Sequence, residues 1–402
     1  MIKLFQNANK FNLNKISGLR YFSSQTLEKN GDVKTAILML NLGGPSNKEE
    51  VEPFLNRLFS DRDIIKLPFQ SIAGPLIAKR RAPAVEKLYE AIGGGSPIRQ
   101  WTEKQGLLLE KLMDDISPET APHKHYIGFR YSHPLIDETI HKMKEDNVKR
   151  VIAFSQYPQY SCSTTGSSLN NLWKTLEELK MEDTFKWSII DRWFSHVGFI
   201  KALNKKITEG IDTFKEKLAK IDNSSETFLQ NKPVLVFSAH SLPMKNVERG
   251  DPYPHEVNAT VNKVMESLGI CKEDGKPYQY MVAWQSKVGP LPWLVPKTVD
   301  VIEQLAKQNQ SAIVIPVAFT SDHIETLSEI DIELQHLAKE KGMKLLVRSP
   351  SLNDDPLIIE AMADIVSQHL TSNKIFDNSQ YELKCPGCID NKYCRTIKNP
   401  IH

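Results

Sequence analysis

No apolar run in the 402-residue sequence approaches the roughly 18 residues that a bilayer-spanning helix needs. A helical membrane span is therefore excluded, while attachment to a membrane surface is not. Charge imbalance is also missing. The 51 Lys and Arg residues face 49 Asp and Glu, and a net charge of +2 gives no electrostatic footprint for nucleic acid. No GxGxxG opens a strand–helix unit, so the usual dinucleotide fingerprint is absent. No internal repeat or low-complexity tract stands out. Cysteine is scarce, at five residues, too few for a disulfide scaffold in a chain of this length. Acidic residues are absent before Glu28, whereas Lys3, Lys10, Lys15 and Arg20 come earlier. Leu4, Phe5, Phe11, Leu13 and Ile16 are scattered among polar residues there, without the compact apolar stretch of a secretory signal. Residues 1–33 are therefore expected to be a mitochondrial transit peptide.

What is present is ordinary globular composition, 40% apolar and 25% charged, in a chain long enough for two domains. Short apolar runs alternate with amphipathic stretches. The runs are Ala36–Leu42, Tyr126–Phe129, Val151–Phe154, Trp187–Ile190, Val234–Phe237, Tyr280–Ala283, Ala312–Val317 and Lys344–Val347. Helical spacing is clearest over 136–143, 199–218, 255–268, 299–308, 330–340 and 356–370. Continuous apolar strands between helices predict an α/β fold with parallel sheets covered on both faces. Two Rossmann-like domains are expected, over 34–205 and 206–375, each with a parallel four-stranded sheet, followed by a C-terminal extension over 376–402.

The residues after each run are the informative ones, because parallel sheets bind ligands beyond the carboxyl ends of their strands. Those ends carry Arg130-Tyr131, Tyr157, Asp191-Arg192-Trp193 with His196, His240, Trp284-Gln285-Ser286-Lys287 and Asp322-His323-Ile324-Glu325. Wet loops alone would give Lys, Asn and Ser; clustered His and Trp point to a cleft lined for chemistry. His240 is a candidate proton acceptor held by a rigid strand. His323 and Glu325 reach one cleft together only if their segment is not yet regular helix, and Glu329 lies one helical turn further. Trp284, Trp293, Trp193, Tyr89, Tyr157 and Tyr131 offer flat surfaces for a planar ligand, and Arg81, Arg130 and Lys287 offer partners for its carboxylates. Cys162, Cys385, Cys388 and Cys394 suit a thiolate metal site, either structural zinc or an iron–sulfur cluster. Apolar residues over 58–77 followed by Lys79-Arg80-Arg81 fit either a lip dipping into a membrane interface or a pair of core-facing helices.

Taken together, Leu42-Gly43-Gly44-Pro45, Lys79-Arg80-Arg81, Gly93-Gly94-Gly95-Ser96-Pro97, Tyr157–Ser168, Ser238–Pro243, Gly250–Pro254, Trp284–Pro290 and Phe319–Leu327 resemble the motifs of eukaryotic ferrochelatases, in that family's order and from about residue 35 to 395. The resemblance implies insertion of Fe²⁺ into protoporphyrin IX to form haem, a homodimer, and peripheral association with the matrix side of the mitochondrial inner membrane. Carried over by position, His240 resembles the residue that takes pyrrole protons, and Glu325, with His323 and Asp322 beside it, its carboxylate partner. His196 and Asp364 resemble two further active-site positions. Arg81, Tyr89 and Ser96 resemble porphyrin contacts, and Cys162, Cys385, Cys388 and Cys394 the ligands of a [2Fe–2S] cluster. Leu42 stands where animal members carry Met, a swap of similar volume. The spacer Ile389–Tyr393 is one residue longer than theirs. An iron–sulfur redox enzyme, a porphyrin carrier without catalysis, and a chelatase for another metal or tetrapyrrole are the competing readings. Clustered His240, His323 and Glu325 argue against a mere carrier, which needs only an apolar slot.

Overall fold

The structure, a computed structural model, describes residues 33–62, 64, 67–221, 227–372 and 374. The expected leader, Val33 apart, and the C-terminal extension with Cys385, Cys388 and Cys394 lie outside them.

Every apolar run becomes a strand: β1 Thr35–Asn41, β2 His123–Phe129, β3 Arg150–Ser155, β4 Lys186–Ile190, β5 Val234–His240, β6 Tyr280–Gln285, β7 Ala312–Pro316 and β8 Leu346–Arg348. They form two 4-stranded sheets, ordered β2-β1-β3-β4 and β6-β5-β7-β8, and all pairings are parallel. The halves thus share one topology although the sequence shows no repeat. In each, the winding direction reverses beside the inner first strand. This places the ligand-binding switch points at the carboxyl ends of β1/β3 and β5/β7. β1 and β7 are buried along their whole length, as strands covered on both faces must be.

Residues of both sheets enter a single core: Ile37, Met39, Ile152 and Phe154 from the first, and Leu235, Phe237, Ile313 and Ile315 from the second. Helices Ile98–Ile116, Val197–Ile221, Tyr253–Leu268 and Pro356–Ser372 contribute to the same core. Residue 205, the expected domain boundary, falls inside helix Val197–Ile221, whose apolar stripe buries Phe199, Leu203, Ile207 and Phe214. Hydrogen bonds also cross between the halves. Gln105 Nε2 donates to the carbonyls of Thr320 at 3.2 Å and Asn353 at 2.7 Å, and Gln159 Nε2 donates to Thr260 Oγ1 at 3.0 Å.

This shared core corrects part of the expected cleft lining. Arg192 is buried, donates to Glu256 Oε1 at 2.6 Å and sits 4.4 Å from the centre of the Tyr160 ring. A guanidinium out of water requires such carboxylate partners. Trp193 is buried too, with its indole N–H donating to the Ser155 carbonyl at 2.9 Å and its ring against Phe199. Trp284 and Tyr131 likewise pack as core. Helices Val51–Ser60, Gln70–Ala91, Ile98–Ile116 and Ser167–Leu179 come in addition to those expected from helical spacing. Gln70–Ala91 contains Pro75 and Pro83 and buries only small residues plus Gln70 and Tyr89, so its sequence carries little helical periodicity.

On β2, His125 lies against helix Ile98–Ile116. Its Nδ1 is 2.7 Å from Glu110 Oε1 and its Nε2 is 3.4 Å from Glu103 Oε1. Gly106 makes this possible, because a Cβ there would overlap the imidazole. Burial by itself would lower the basicity of the ring, but the two carboxylates outweigh it and lift the pKa from 6.5 to about 9. The folded value lies above the unfolded one. The contribution to stability is therefore complete below pH 6.5 and is lost as pH rises through about 9. A shift of this size corresponds to on the order of 3 kcal/mol. Thermal melts across pH 6 to 10 are expected to show wild type losing an advantage over His125→Gln as the pH rises. Parallel pH dependences for the two proteins would contradict this.

Candidate active site

His240 is the last residue of β5, at the switch point beside β7, and the sheet fixes its backbone. Its Nδ1 lies 3.0 Å from Glu325 Oε2, leaving Nε2 without a protein partner among the described residues. The Trp293 ring stands 6.4 Å from the imidazole at 68°. Glu325 begins a wide, π-type helical stretch, Glu325–Leu334, entered from the loop after β7. Such stretches recur at functional sites because their looser turns re-aim side chains. Glu325 and Glu329, four residues apart, lie on one face of it. Ser286 Oγ donates to Glu329 Oε2 at 2.6 Å and lies 3.4 Å from Glu325 Oε2. Ser286 adopts φ 64°, a conformation that costs a non-glycine residue energy and is retained where a site over-determines it. Gln285 Nε2 donates to the Glu325 carbonyl at 3.1 Å and to Glu329 Oε2 at 3.2 Å, while Ser238 Oγ holds Gln285 Oε1 at 2.6 Å. Gln285 and Ser286 are visible in the sequence as residues following a strand and as part of the Trp284–Pro290 motif; their contact with both carboxylates arises from the fold.

Burial opposes ionisation of every group in this cluster, so their mutual charges decide the outcome. For His240, burial lowers the pKa, but the charge and hydrogen bond of Glu325, with Glu329 behind, raise it overall. Glu325 is held below the usual carboxylate range against its own burial, chiefly by His240 and then by His323 and Ser286. Glu329 is pushed up to about 7 by burial and by the charge of Glu325. The cluster therefore contains a strengthened base, a fixed anion and a carboxyl poised to exchange a proton near neutral pH.

The remaining candidates fall into groups. Asp322 is saturated: its Oδ1 accepts from Ser351 Oγ at 2.7 Å, Arg348 Nη1 at 3.0 Å and Thr326 Oγ1 at 3.0 Å, and its Oδ2 accepts from Asn353 Nδ2 at 2.8 Å. His323 Nδ1 sits 3.0 Å from the Ser321 carbonyl, with its ring against Phe319. Tyr89 is buried, and its hydroxyl is pushed up by burial and by the charge of Glu325. Ser96 is buried under the β1 loop, its N–H donating to the Pro45 carbonyl at 2.7 Å, and a Cβ on Gly44 would collide with it. Arg81 is exposed, 5.6 Å from the centre of the Phe59 ring. His196 and Asp364 meet separately, Nε2 to Oδ2 at 3.0 Å, with His196 Nδ1 buried and unpartnered among the described residues. Arg130 is committed to Asp61 at 2.8 Å and Asn171 at 2.9 Å, and Tyr157 to Asn41 at 2.7 Å.

Cys162, part-buried, opens the turn Cys162–Gly166 ahead of helix Ser167–Leu179, and its N–H donates to Asp251 Oδ2 at 2.9 Å. Beside the cleft, Phe69 is 85% exposed and Ile72 and Leu76 64% each, with Lys79, Arg80 and Arg81 exposed along the same helix. Among the described residues no helix is long and apolar enough to cross a membrane.

Comparison with known proteins bears on this geometry. A family model described as Ferrochelatase matches residues 34–370. "Ferrochelatase, mitochondrial" of Dictyostelium discoideum is 69% identical over 375 residues, covering 92% of this chain and 89% of that one. The human protein of the same name is 50% identical over 368 residues, covering 91% and 82%. Among solved structures, SirB from Bacillus subtilis with Fe3+ matches with a TM-score of 0.45 and 12% identity, covering 85% of this chain and 98% of that one.

Because Glu329 contributes to the raised basicity of His240, Glu329→Gln is expected to move the imidazole titration of His240, followed by NMR, towards lower pH. An unchanged midpoint would contradict the charge coupling.

Proposed function

The chain belongs to the ferrochelatase family and inserts ferrous iron into protoporphyrin IX, the terminal step of haem synthesis, and we propose that His240 accepts the pyrrole protons while Glu325 and Glu329 lead them away. The observation that carries this assignment is the open Nε2 of His240 behind an Nδ1 engaged by Glu325. In the reaction the neutral porphyrin loses two N–H protons, takes up Fe²⁺ and yields a neutral haem. A base must therefore stand at the ring, and a route must empty that base between the two transfers. Glu325 favours the protonated imidazole, and Glu329, with its carboxyl pushed up to about 7, is suited to pass a proton on towards solvent. His323 lies beside Glu325 and contributes to holding its carboxyl below the usual range. Asp322 holds the segment in place, and His196 with Asp364 forms a second polar pair of the active site.

Porphyrin contacts are assigned to Arg81, Tyr89 and Ser96. Binding energy from the apolar macrocycle can be spent on bending it, which exposes the nitrogen lone pairs to the incoming metal. The protein works in the mitochondrion, and we assign it to the matrix side of the inner membrane as a homodimer. Exposed Phe69, Ile72 and Leu76 beside Lys79, Arg80 and Arg81 support a peripheral membrane contact, since apolar side chains with adjacent cations suit an anionic interface. Cys162, Cys385, Cys388 and Cys394 would hold a [2Fe–2S] cluster, a reading supported by the part-exposed Cys162 on the loop after β3. Such a cluster would tie the C-terminal extension to the β3 loop.

With anaerobic Fe²⁺ and protoporphyrin IX, the purified protein is expected to quench porphyrin fluorescence and build haem absorbance in proportion to enzyme. His240→Ala is expected to bind porphyrin yet lose turnover by at least about a hundredfold. Retained turnover would remove the proton-acceptor role, and porphyrin binding without conversion by wild type would favour a carrier. Separately, wild type is expected to show iron–sulfur absorption that Cys388→Ser lacks. A colourless wild type holding stoichiometric zinc would refute the cluster.

A further inference from the structure

Glu325 and Glu329 stand on a stretch that buries Ile330 and Leu334 but whose two carboxylates need outside partners to stay in place. Its π-type turns are looser than α-helix, and two carboxylates packed together repel. The inner side is fastened by Ser286 and Gln285. On the outer side, Asn353 and Ser351 hold Asp322, and one further residue, which neither the motifs nor the family resemblance singled out, reaches both ends of the stretch. Arg348, the last residue of edge strand β8, aims its guanidinium in two directions. Nε and Nη2 donate to the two oxygens of Asp331, at 2.7 and 2.8 Å. Nη1 donates to Asp322 Oδ1 and to Ser351 Oγ, both at 3.0 Å. Asp322 and Asp331 bracket Glu325 and Glu329 in the sequence. One planar fork thus spans the stretch from its entry to beyond its second functional carboxylate, and it is anchored on a strand paired with β7. Only a guanidinium has donors in this geometry; an ammonium would reach one carboxylate and release the other.

We infer that Arg348 is a positioning residue for iron insertion: by clamping Asp322 and Asp331 it fixes Glu325 against His240 and Glu329 against Ser286. The inference rests on the proton-acceptor reading of His240 and deepens it. Arg348 touches neither porphyrin nor the reacting nitrogens; its effect is transmitted through the carboxylates. The charged groups around the acceptor are Glu325 and Glu329 on the π-type stretch and His323 at its entry, with Ser286 and Gln285 at the end of β6.

Arg348→Lys, Asp331→Asn and His240→Ala are compared as full-length protein by single-turnover iron insertion from pH 6 to 9, porphyrin fluorescence titration and thermal melting. Asp331, on the outer face and 36% exposed in its side chain, gives a variant expected to fold even if Arg348→Lys does not. Arg348→Lys is expected to lower the insertion rate between about tenfold and a hundredfold, with porphyrin affinity unchanged. Its pH profile should move to lower pH, because His240 loses part of the Glu325 field that raises its basicity. Asp331→Asn should move the profile the same way by less. Wild-type rates and pH profiles in the Asp331→Asn and Arg348→Lys proteins, whatever their melting temperatures, would overturn the inference while an inactive His240→Ala left the proton-acceptor reading standing. An active His240→Ala would overturn both.

Discussion

The proposed role of His240 asks for a base that is both available and strong, and burial works against the second requirement. The hydrogen bond between His240 Nδ1 and Glu325, at 3.0 Å, resolves that conflict. It orients the ring, leaves Nε2 open and supplies the negative charge that offsets the burial of the imidazolium. The pair then creates a problem of its own, since a second carboxylate nearby cannot also be readily ionised. Burial and the charge of Glu325 push the Glu329 carboxyl up to about 7, which suits the outlet proposed for it.

The rest of the structure can be understood as what keeps this pair in register. β5 brings His240 to the switch point of the second sheet, and β7 leads the chain back to the same crevice before it widens into Glu325–Leu334. The first half contributes a matching crevice, where Leu42 N–H donates to Tyr157 OH at 2.9 Å. The two halves are joined by common core and by buried polar contacts such as Gln105 to Thr320 and Arg192 to Glu256. A partner removed from either contact would leave a buried donor or charge unsatisfied, which makes rigid-body opening between the halves costly. Motion near the site is more readily accommodated by the exposed helix carrying Ile72 and Leu76.

Most of the sheet scaffold is legible in the sequence, because continuous apolar runs between turn residues leave few alternatives to buried parallel strands. His240 and Glu325 are legible for a related reason: side chains able to do chemistry stand where strands end. What stays hidden depends on packing between distant segments. Trp193, Trp284 and Arg192 have the same local signature as a ligand cleft, yet the partners that bury them, Phe199, Tyr253 and Glu256, come from other elements. Helix Gln70–Ala91 is obscured by Pro75, Pro83 and an outward apolar face, the reverse of the pattern that signals a surface helix. Ser286 and Gln285 stand out in the sequence only by their place after a strand and in a motif, and Arg348 not at all, until the fold puts them on Glu325, Glu329, Asp322 and Asp331.

The most direct measurement is a crystal structure of the protein with metal-free protoporphyrin bound in the absence of iron. The account predicts pyrrole nitrogens facing His240, with Nε2 within about 3 Å of one of them and the contact of Nδ1 with Glu325 intact. A macrocycle whose nitrogens face away from His240, or one that breaks the His240–Glu325 bond on binding, would contradict it.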